Sequence, residues 1–478
     1  MDIKQYVMDS VARHTEQLSA LNEEIWGYAE LDFRVRRSAD ALCKVLVEEG
    51  FELKRGLAGI DHAFSATYGA GAPVIGILAE YDALSGLSQA AGCPTYNPLV
   101  PGGNGHGCGH SAMAAGCFGA AVAIKEYLQE TGHSGTVILY GCPAEENGWA
   151  KAFMARDHCF DELDVALAWH PETRNFVTVN SNLANISIEF HFKGISAHAA
   201  GAPEQGRSAL DACELMNVGV NYLREHVISS ARIHYAYLDA GATSPNVVQD
   251  RSSLHYFVRA PKSTQALEIS ERIKNVARGA ALMTGTEVDI IVRSGMSNIV
   301  QNYTLDEVLY EAFSEVGGPA FDEDDYALAA AFFKNLPEQN QQNIKNELIR
   351  SLGEEAAEEV LTRPLNTGVI PYVKPYETKH DPVSSDVGDV SYVVPTVQIY
   401  VACACMGTAL HSWNFTGQTN SSIGMKGTLK SSEVMALAAI KLLDRPEVIA
   451  KAKEEHLLAT GGVYPCPIPD DVTPPPGN

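Results

Sequence analysis

The chain has 478 residues, a length that exceeds one ordinary domain and allows a large core with a second module. Its 59 acidic and 35 basic side chains give a formal net charge of −24, which argues against nucleic-acid partners because these require a basic surface. Ten irregularly spaced cysteines indicate reduced thiols, and the lack of a signal-like segment or of an apolar stretch of roughly 18 residues predicts a cytoplasmic protein without membrane partners.

A glycine-rich loop in the first quarter of the chain presents two candidate metal ligands. Residues 101–110 read Pro-Gly-Gly-Asn-Gly-His-Gly-Cys-Gly-His and place Cys108 and His110 before an apolar helix predicted over 112–128. A run of so many glycines does not contribute side chains to a packed core, so the loop favours a functional reading of Cys108 and His110. Ser111 is the predicted N-cap of this helix, and the helix terminus favours a Cys108 thiolate.

Three apolar runs further along the chain predict buried strands of a parallel sheet. The runs are residues 135–142, 165–169 and 395–402. Glu145 and Glu146 follow the first run, His170 follows the second, and His411 follows the third after a short loop. Because the crevice at the carboxyl ends of such strands is where ligands bind, we expect these side chains to converge there.

The middle of the chain predicts a separate α+β unit. Its elements are a strand at 185–192, a helix at 206–226, strands at 232–238 and 253–259, a helix at 264–283 and a strand at 286–292. This order is the ferredoxin-like pattern. We therefore predict a doubly wound, mostly parallel α/β catalytic domain formed by residues 1–182 and 296–478, with a ferredoxin-like unit inserted at 183–295.

The remaining segments are predicted to have structural rather than catalytic roles. Residues 321–360 are acidic and rich in predicted helix, with a charge run at 354–359 that is typical of a solvated face. The proline-rich end after residue 461 predicts an extended arm or a disordered tail. Cys403 and Cys405 are predicted core residues, since no second pair matches their spacing. His106 is either a supporting hydrogen-bond donor or a plain loop residue.

The candidate ligands together predict a two-metal site. Cysteine, histidine and carboxylate groups suit divalent transition metals, and five or six of them exceed what one tetrahedral ion needs. A pair of ions polarises a substrate carbonyl and lowers the pKa of water. The side chains of the adjacent residues Glu145 and Glu146 point in different directions, so one can bind metal while the other shuttles a proton. A lone cysteine is usually a buried apolar residue and a lone histidine a structural one, so the prediction rests on the whole set.

Several segments resemble the cysteine-using branch of the aminoacylase and carboxypeptidase family of two-metal amidohydrolases. They are Ala79-Glu-Tyr-Asp-Ala-Leu84, the glycine-rich loop, Trp169-His-Pro171, Ser384-Ser-Asp-Val-Gly-Asp-Val390 and Cys466-Pro-Ile-Pro469. The resemblance runs nearly end to end. It implies two divalent ions, with manganese favoured and zinc possible.

The resemblance also implies roles for individual residues. The implied metal ligands are Cys108, His110, Glu146, His170 and His411. Glu145 would be the general base and the later proton donor to the leaving nitrogen. The family often has a ligand histidine where this chain has Glu80, so Glu80 is not assigned as a ligand. Asp82 would orient a metal ligand through a hydrogen bond without binding the metal itself.

In this family the inserted domain serves as a lid and dimerisation surface. The resemblance implies that His198 reaches the active site of a second copy and stabilises the oxyanion. Asn246 and Arg259 would grip a substrate carboxylate. The alternative for His198 and for Arg259 is an ordinary surface residue. We therefore expect a homodimer with an N-acyl amino acid as its small-molecule substrate.

The leading functional hypothesis is a metal-dependent amidohydrolase that removes an aromatic acyl group from an acidic amino acid, with p-aminobenzoyl-glutamate as the first substrate to consider. A second hypothesis keeps the chemistry and changes the acyl group, as in indole-3-acetyl-aspartate. A third is that the chain is one half of a two-part hydrolase and serves as the partner of a homologous polypeptide, the A subunit.

Overall fold

The computed structural model describes residues 2–477, which form two sheets and fifteen helices. The helices are α1 (Ile3–Arg13), α2 (Thr15–Tyr28), α3 (Arg36–Glu48), α4 (His110–Thr131), α5 (Ala150–Arg156), α6 (Ala209–Leu223), α7 (Ser263–Thr284), α8 (Tyr303–Val316), α9 (Glu323–Lys334), α10 (Glu338–Leu352), α11 (Glu354–Thr362), α12 (Val387–Val393), α13 (Trp413–Thr419), α14 (Ser422–Leu443) and α15 (Pro446–Thr460). The strands are β1 (Glu52–Arg55), β2 (Phe64–Ala70), β3 (Val74–Glu80), β4 (Gly135–Cys142), β5 (Val165–Glu172), β6 (Phe176–Val177), β7 (Ala184–Lys193), β8 (Arg232–Asp239), β9 (Arg251–Ala260), β10 (Glu287–Met296) and β11 (Thr396–Ala402).

The larger sheet has seven strands in the order β1-β2-β4-β3-β5-β11-β6. Its four central strands, from β4 to β11, are parallel, and antiparallel strands flank them on both sides. Successive residues of β4 alternate between two apolar clusters: Val137 and Leu139 face one, and Ile138 and Tyr140 face the other. A sheet covered by apolar groups on both faces requires the continuous apolar runs seen in the sequence.

The strand order places a crevice between β3 and β5. From β3 the chain proceeds outward to β4 and then returns to the other side of β3 as β5. The two strands are paired only from Ile75 to Ile77, although β3 continues to Glu80 and β5 to Glu172. Their carboxyl ends therefore separate, which is the arrangement that forms ligand sites in open α/β sheets.

The smaller sheet has the order β10-β7-β9-β8, with every neighbouring pair antiparallel. Helices α6 and α7 pack on one face and form a separate apolar core with it. The predicted ferredoxin-like unit within an α/β fold is thereby confirmed. The strands of this unit run from Ala184 to Met296, and the boundaries at residues 183 and 295 remain our proposal.

Two local predictions are wrong. Ser111 does not cap α4, because the helix begins at His110, Gly109 is the N-cap in a left-handed conformation, and the Ser111 hydroxyl is buried without a partner among residues 2–477. His170 lies within β5 rather than after it, since β11 continues alongside and pairs Tyr400 with it.

The proline-rich end agrees with the predicted arm and not with a disordered tail, because it packs on the catalytic domain through contacts that the sequence does not reveal. It has no helix or strand from residue 461 to 477, yet Arg156 donates hydrogen bonds to the carbonyls of Pro469 and Val472 and Ile468 is buried. Cys403 and Cys405 lie in the core as predicted. Within residues 2–477, no helix combines the length and the apolarity needed to span a membrane.

Candidate metal centre

The candidate ligands converge on the crevice beside β3 from four separate parts of the chain. The glycine-rich loop supplies Cys108, and His110 is the first residue of α4. The segment after β4 supplies Glu145 and Glu146, and His170 lies in β5. The segment after β11 supplies His411, whose backbone nitrogen donates to the carbonyl of Gly107 at 2.8 Å.

Three groups of side chains bring their ligand atoms within 4.8 Å of one another. They are Cys108 with His110 and His170, Cys108 with Glu146 and His411, and Glu80 with His110 and Glu145. Cys108 belongs to the first two groups. The Cys108 Sγ to His170 Nε2 distance is 3.2 Å, and the His411 Nε2 to Glu146 Oε2 distance is 3.4 Å. Such separations are those of neighbouring ligands around one ion.

Asp82 orients His110 from behind. One oxygen of the buried Asp82 carboxylate lies 3.1 Å from His110 Nδ1, and the other accepts a hydrogen bond of 3.0 Å from the backbone nitrogen of Glu146. Burial alone would raise the pKa of Asp82, but His110 and the Glu146 amide hold it below its ordinary value. The contact fixes Nδ1 and leaves Nε2 directed into the centre, as a metal ligand requires.

His170 is oriented by its own backbone neighbour. Its Nδ1 lies 2.7 Å from the carbonyl of Pro171, so Nδ1 carries the hydrogen and Nε2 is free to bind metal. Burial and the nearby His110 lower the pKa of His170 to about 4. A neutral imidazole is the form that ligates a metal.

The residues fit a metal because some of their polar atoms have no other partner. His110 Nε2 and Glu146 Oε1 are buried, lie 3.9 Å apart, and make no hydrogen bond within the described chain. Buried polar atoms are rarely left without partners, and metal ions held at this centre would satisfy both atoms. The mix of sulfur, nitrogen and oxygen donors suits zinc or manganese.

The acidic groups of the site have raised pKa values in the protein alone. Burial raises the pKa of Glu146 to about 7, and burial together with the nearby Glu80 and Glu146 raises the pKa of Glu145 well above its usual range. A raised pKa makes a carboxylate a stronger base toward a nearby proton donor. Glu145 therefore has the property that a proton shuttle needs.

The predicted thiolate of Cys108 is not favoured by the protein alone. Burial and the neighbouring Glu146 raise the pKa of Cys108 well above its ordinary value. These two effects outweigh the stabilisation of a thiolate by the helix N-terminus, because removing an anion from water is costly. A bound divalent cation reverses this balance and deprotonates a coordinating thiol.

His411 has an unusual backbone conformation, and Gly107 beside it packs closely against Leu87. His411 has a φ of 57°, which is unusual for a residue with a side chain. A Cβ on Gly107 would lie 2.4 Å from Leu87 Cδ1 and 3.4 Å from the Cα of His411. Glycine at 107 thus leaves room for the Leu87 side chain beside the His411 segment.

Lys151 and Asp386 are parts of the site that sequence reasoning missed. Lys151 is fully buried, and its Nζ lies 2.6 Å from Glu80 and 2.5 Å from Asp386. The other Glu80 oxygen lies 3.4 Å from His110 Nε2. Glu80 is thus shared between an ion pair and the metal centre. The only sequence signals were a lysine in an apolar segment and an aspartate inside a motif of the family resemblance.

His106 is a supporting residue rather than a ligand. Its Nε2 lies 3.1 Å from the carbonyl of Ile25, and it belongs to none of the candidate ligand groups found among residues 2–477. Burial lowers its pKa to about 3, so it is a neutral donor that ties the glycine-rich loop to α2.

The three candidate residues of the inserted unit do not meet in one chain. His198 and Asn246 are exposed on neighbouring segments, where Ala199 nitrogen donates to the Asn246 carbonyl at 2.9 Å. Arg259 lies on β9 and donates to Ser384 Oγ at 3.1 Å. Among residues 2–477, no hydrogen bond joins Arg259 to Asn246.

Comparison with known proteins agrees with this architecture. Residues 76–404 match the model of peptidase family M20/M25/M40. The chain is 40% identical over 478 residues to the B subunit of p-aminobenzoyl-glutamate hydrolase from Escherichia coli, covering 99% of each protein. The chain therefore belongs to peptidase family M20/M25/M40, a family of hydrolases that act on amide bonds.

Two further relatives are more distant. Indole-3-acetyl-aspartic acid hydrolase of Enterobacter agglomerans is 30% identical over 190 residues, which cover 39% of this chain and 43% of that protein. The crystal structure of a Bacillus subtilis dinuclear metal binding peptidase of the M20 family superposes with a TM-score of 0.58 at 16% identity, covering 91% of this chain and 99% of that one. That superposition supports the fold.

Proposed function

We propose that this chain is a two-metal amidohydrolase that cleaves p-aminobenzoyl-glutamate into p-aminobenzoate and glutamate. The observation that carries the proposal is the pair of ligand groups that share Cys108 at the crevice between β3 and β5. The choice of substrate rests on the name of the Escherichia coli relative that is similar over the full chain.

The proposed ligands divide between two ions. His110 and His170 would hold one ion and Glu146 and His411 the other, and Cys108 would be a ligand common to the two groups. When bound, the ions polarise the amide carbonyl and lower the pKa of water. Thiolate ligation favours zinc on softness, whereas the family resemblance favours manganese, which we prefer.

Glu145 is the proposed proton shuttle. It lies at the centre but belongs to neither of the groups that share Cys108. Its carboxylate removes a proton from the attacking water and delivers it to the departing amine nitrogen. The raised pKa of Glu145 supports the first step, because burial and the nearby Glu80 and Glu146 make this carboxylate a stronger base than an ordinary glutamate.

His198 and Asn246 are proposed to act on the active site of a second copy. The Nδ1 of His198 accepts hydrogen bonds from the backbone nitrogens of Ala200 at 3.2 Å and Gly201 at 3.0 Å, so in the neutral ring Nε2 carries the hydrogen. That hydrogen is suited to an oxyanion. Because backbone hydrogen bonds tie the two segments together, His198 and Asn246 would enter the second site jointly.

A homodimer through the inserted unit is consistent with its surface. Within the described chain, strand β8 is an unpaired edge of the smaller sheet, with Tyr235, Tyr237 and Leu238 exposed. Val218 and Tyr222 of the neighbouring α6 are exposed as well. An open edge beside exposed apolar groups is a common docking surface for another chain.

Arg259 is the proposed ligand of the substrate carboxylate. Its guanidinium group is planar and can bind a carboxylate through two parallel hydrogen bonds. Its position on β9, within hydrogen-bond distance of Ser384 in the catalytic domain, places it where the two domains meet.

Two alternatives follow from particular relatives. The similarity to indole-3-acetyl-aspartic acid hydrolase makes indole-3-acetyl-aspartate the second candidate substrate. The Escherichia coli relative is the B subunit of its hydrolase, so the chain is also a candidate partner of a homologous A subunit. A complete donor set argues against a purely structural role.

The test is hydrolysis by the purified chain alone, first stripped with a chelator and then supplied with manganese or zinc. Metal-dependent release of p-aminobenzoate would support the proposal. Turnover of indole-3-acetyl-aspartate alone would overturn the substrate and keep the metal site. If neither conjugate is cleaved until the homologous A subunit is added, the chain depends on a partner.

A further inference from the structure

A row of three polar side chains crosses the inserted sheet. Asn185 on β7 is directly opposite Arg259 on β9, and Arg259 is directly opposite Arg232 on β8. Directly opposite residues project from the same face of a sheet. We call these three residues the cross-strand row.

The cross-strand row faces the catalytic domain. The residues next to it along each strand, among them Ile186, Val258 and Ile233, belong to the core of the inserted unit, so the row projects the other way. Arg259 hydrogen-bonds Ser384 of the catalytic domain, and the ring of Phe257 on the same face lies 5.8 Å from that of Trp149. Trp149 follows closely after Glu145 and Glu146 in the chain.

The two arginines of the row have no carboxylate partner within residues 2–477. Arg232 donates only to the carbonyls of Ser229 and Ala231 in this part of the chain, both at 2.8 Å. Arg259 Nε is buried with no partner in the described residues, and burial lowers the pKa of that side chain.

Two other arginines of the same sheet are paired with carboxylates. Arg251 pairs with Asp239 and Arg293 pairs with Glu189. The lack of a partner is therefore specific to Arg232 and Arg259 and is not a property of every arginine in this sheet.

Two neighbouring arginines without a carboxylate partner are unfavourable unless an anion binds between them. Like charges at directly opposite positions destabilise a sheet. The chain carries 59 acidic side chains, yet none of those between residues 2 and 477 is placed against this pair. The buried side-chain amide of Asn185, beside Arg259, also has no hydrogen-bond partner among residues 2–477 at either its oxygen or its nitrogen. Both side chains therefore have polar atoms that a ligand could satisfy.

We propose that Arg232 and Arg259 form a binding site for a dicarboxylic amino acid, in which Arg259 takes the carboxylate next to the scissile amide and Arg232 takes the side-chain carboxylate. Guanidinium groups bind carboxylates through two parallel hydrogen bonds. Arg259 is half-buried and Arg232 is exposed, so the site opens toward solvent at the Arg232 end. This inference rests on the proposed function and names Arg232 as the residue that selects glutamate over a neutral amino acid.

The test compares Arg232→Gln with Arg251→Gln, an exposed arginine on β9 that is paired with Asp239. Each purified, metal-loaded chain is assayed with p-aminobenzoyl-glutamate and with p-aminobenzoyl-glutamine, which differs only in the side-chain carboxylate. We expect Arg232→Gln to raise KM for the glutamate conjugate about tenfold, the value of one charged hydrogen-bonded contact, with kcat unchanged. KM for the glutamine conjugate should stay the same, and Arg251→Gln should change neither.

Calorimetric binding separates this inference from the proposed function. The same substitutions are placed in a Glu145→Gln background, and both conjugates are titrated. Selective loss of affinity for the glutamate conjugate supports the site even where the chain shows no turnover. Equal losses for both conjugates, or no loss for either, would overturn it.

Discussion

Cys108 Sγ lies 3.2 Å from His170 Nε2, although the two residues are 62 positions apart in the chain. Cys108 is also grouped with Glu146 and His411, so one sulfur atom takes part in both proposed ion sites.

Cys108→Ala should therefore remove most of the bound metal rather than half of it. Loss of a shared ligand weakens both ions, and metal sites depend strongly on each donor. Bound metal per chain is measured by elemental analysis after dialysis. The matched control is Cys117→Ala, a buried thiol of α4 that donates to the Leu78 carbonyl at 3.2 Å and lies in none of the ligand groups found among residues 2–477. Equal metal content in the two variants would contradict a shared role of Cys108 in the two ligand groups.

Glu145→Gln should keep its fold and metal yet lose turnover by roughly 100-fold to 10,000-fold, the usual contribution of a positioned acid–base group. The amide keeps the size of the side chain but cannot accept the proton. The measurement is kcat beside metal content and thermal stability. A variant with kcat near that of the wild type would show that another group moves the proton.

Complementation tests whether His198 acts on a second copy. His198→Ala and Glu145→Gln should each be nearly inactive alone. Mixed after reversible dissociation, they should recover about a quarter of wild-type activity, because half of the dimers are mixed and each of these contains one intact site. If the mixture remains inactive while mixed dimers are shown to form, His198 serves its own chain.

Lys151→Met should destabilise the fold by roughly 3–5 kcal/mol, the cost of leaving a buried carboxylate without its partner. Burial opposes charging, but Asp386 and Glu80 hold the pKa of Lys151 well above its ordinary value, so the ammonium group is charged. Urea unfolding of the metal-free chain gives the free energy. The double variant Lys151→Met with Asp386→Asn should recover part of the loss, and simple additivity would contradict the ion pair.

Asp306 predicts a pH dependence of stability that is independent of the metal centre. It is buried at the start of α8, neither oxygen has a partner among residues 2–477, and burial with the nearby Glu455 raises its pKa to about 8. A carboxyl group whose pKa is higher in the folded than in the unfolded protein favours folding most strongly below its unfolded pKa. This contribution is lost progressively as the pH rises to about 8.

Asp306→Asn should flatten this pH profile. The variant should exceed the wild type in unfolding free energy at pH 8 by roughly 5 kcal/mol, because the wild type loses about 1.4 kcal/mol for each pH unit between the unfolded and folded pKa values. Urea unfolding across the pH range measures the difference. If the two proteins lose stability in parallel between pH 5 and pH 8, the Asp306 carboxyl is not the titrating group.

Much of this protein is determined by local sequence. The limits of β4 match the predicted strand, and the order of elements in the inserted unit follows from hydrophobic periodicity, because burial on two faces or on one leaves a direct pattern in the chain. The sequence also names Cys108, His110 and Glu146 as candidate metal ligands, since glycine-rich and paired acidic segments are chemically distinctive.

Only the tertiary structure decided how these residues act. The start of α4 at His110 depends on the left-handed Gly109 and on packing against neighbouring segments, not on Ser111 as a cap. The partners of Lys151 come from β3 and from the residue before α12, and the opposition of Arg232 and Arg259 depends on strand register. Contacts between distant segments leave no periodic signal in one sequence, because each partner is compatible locally with many other neighbours.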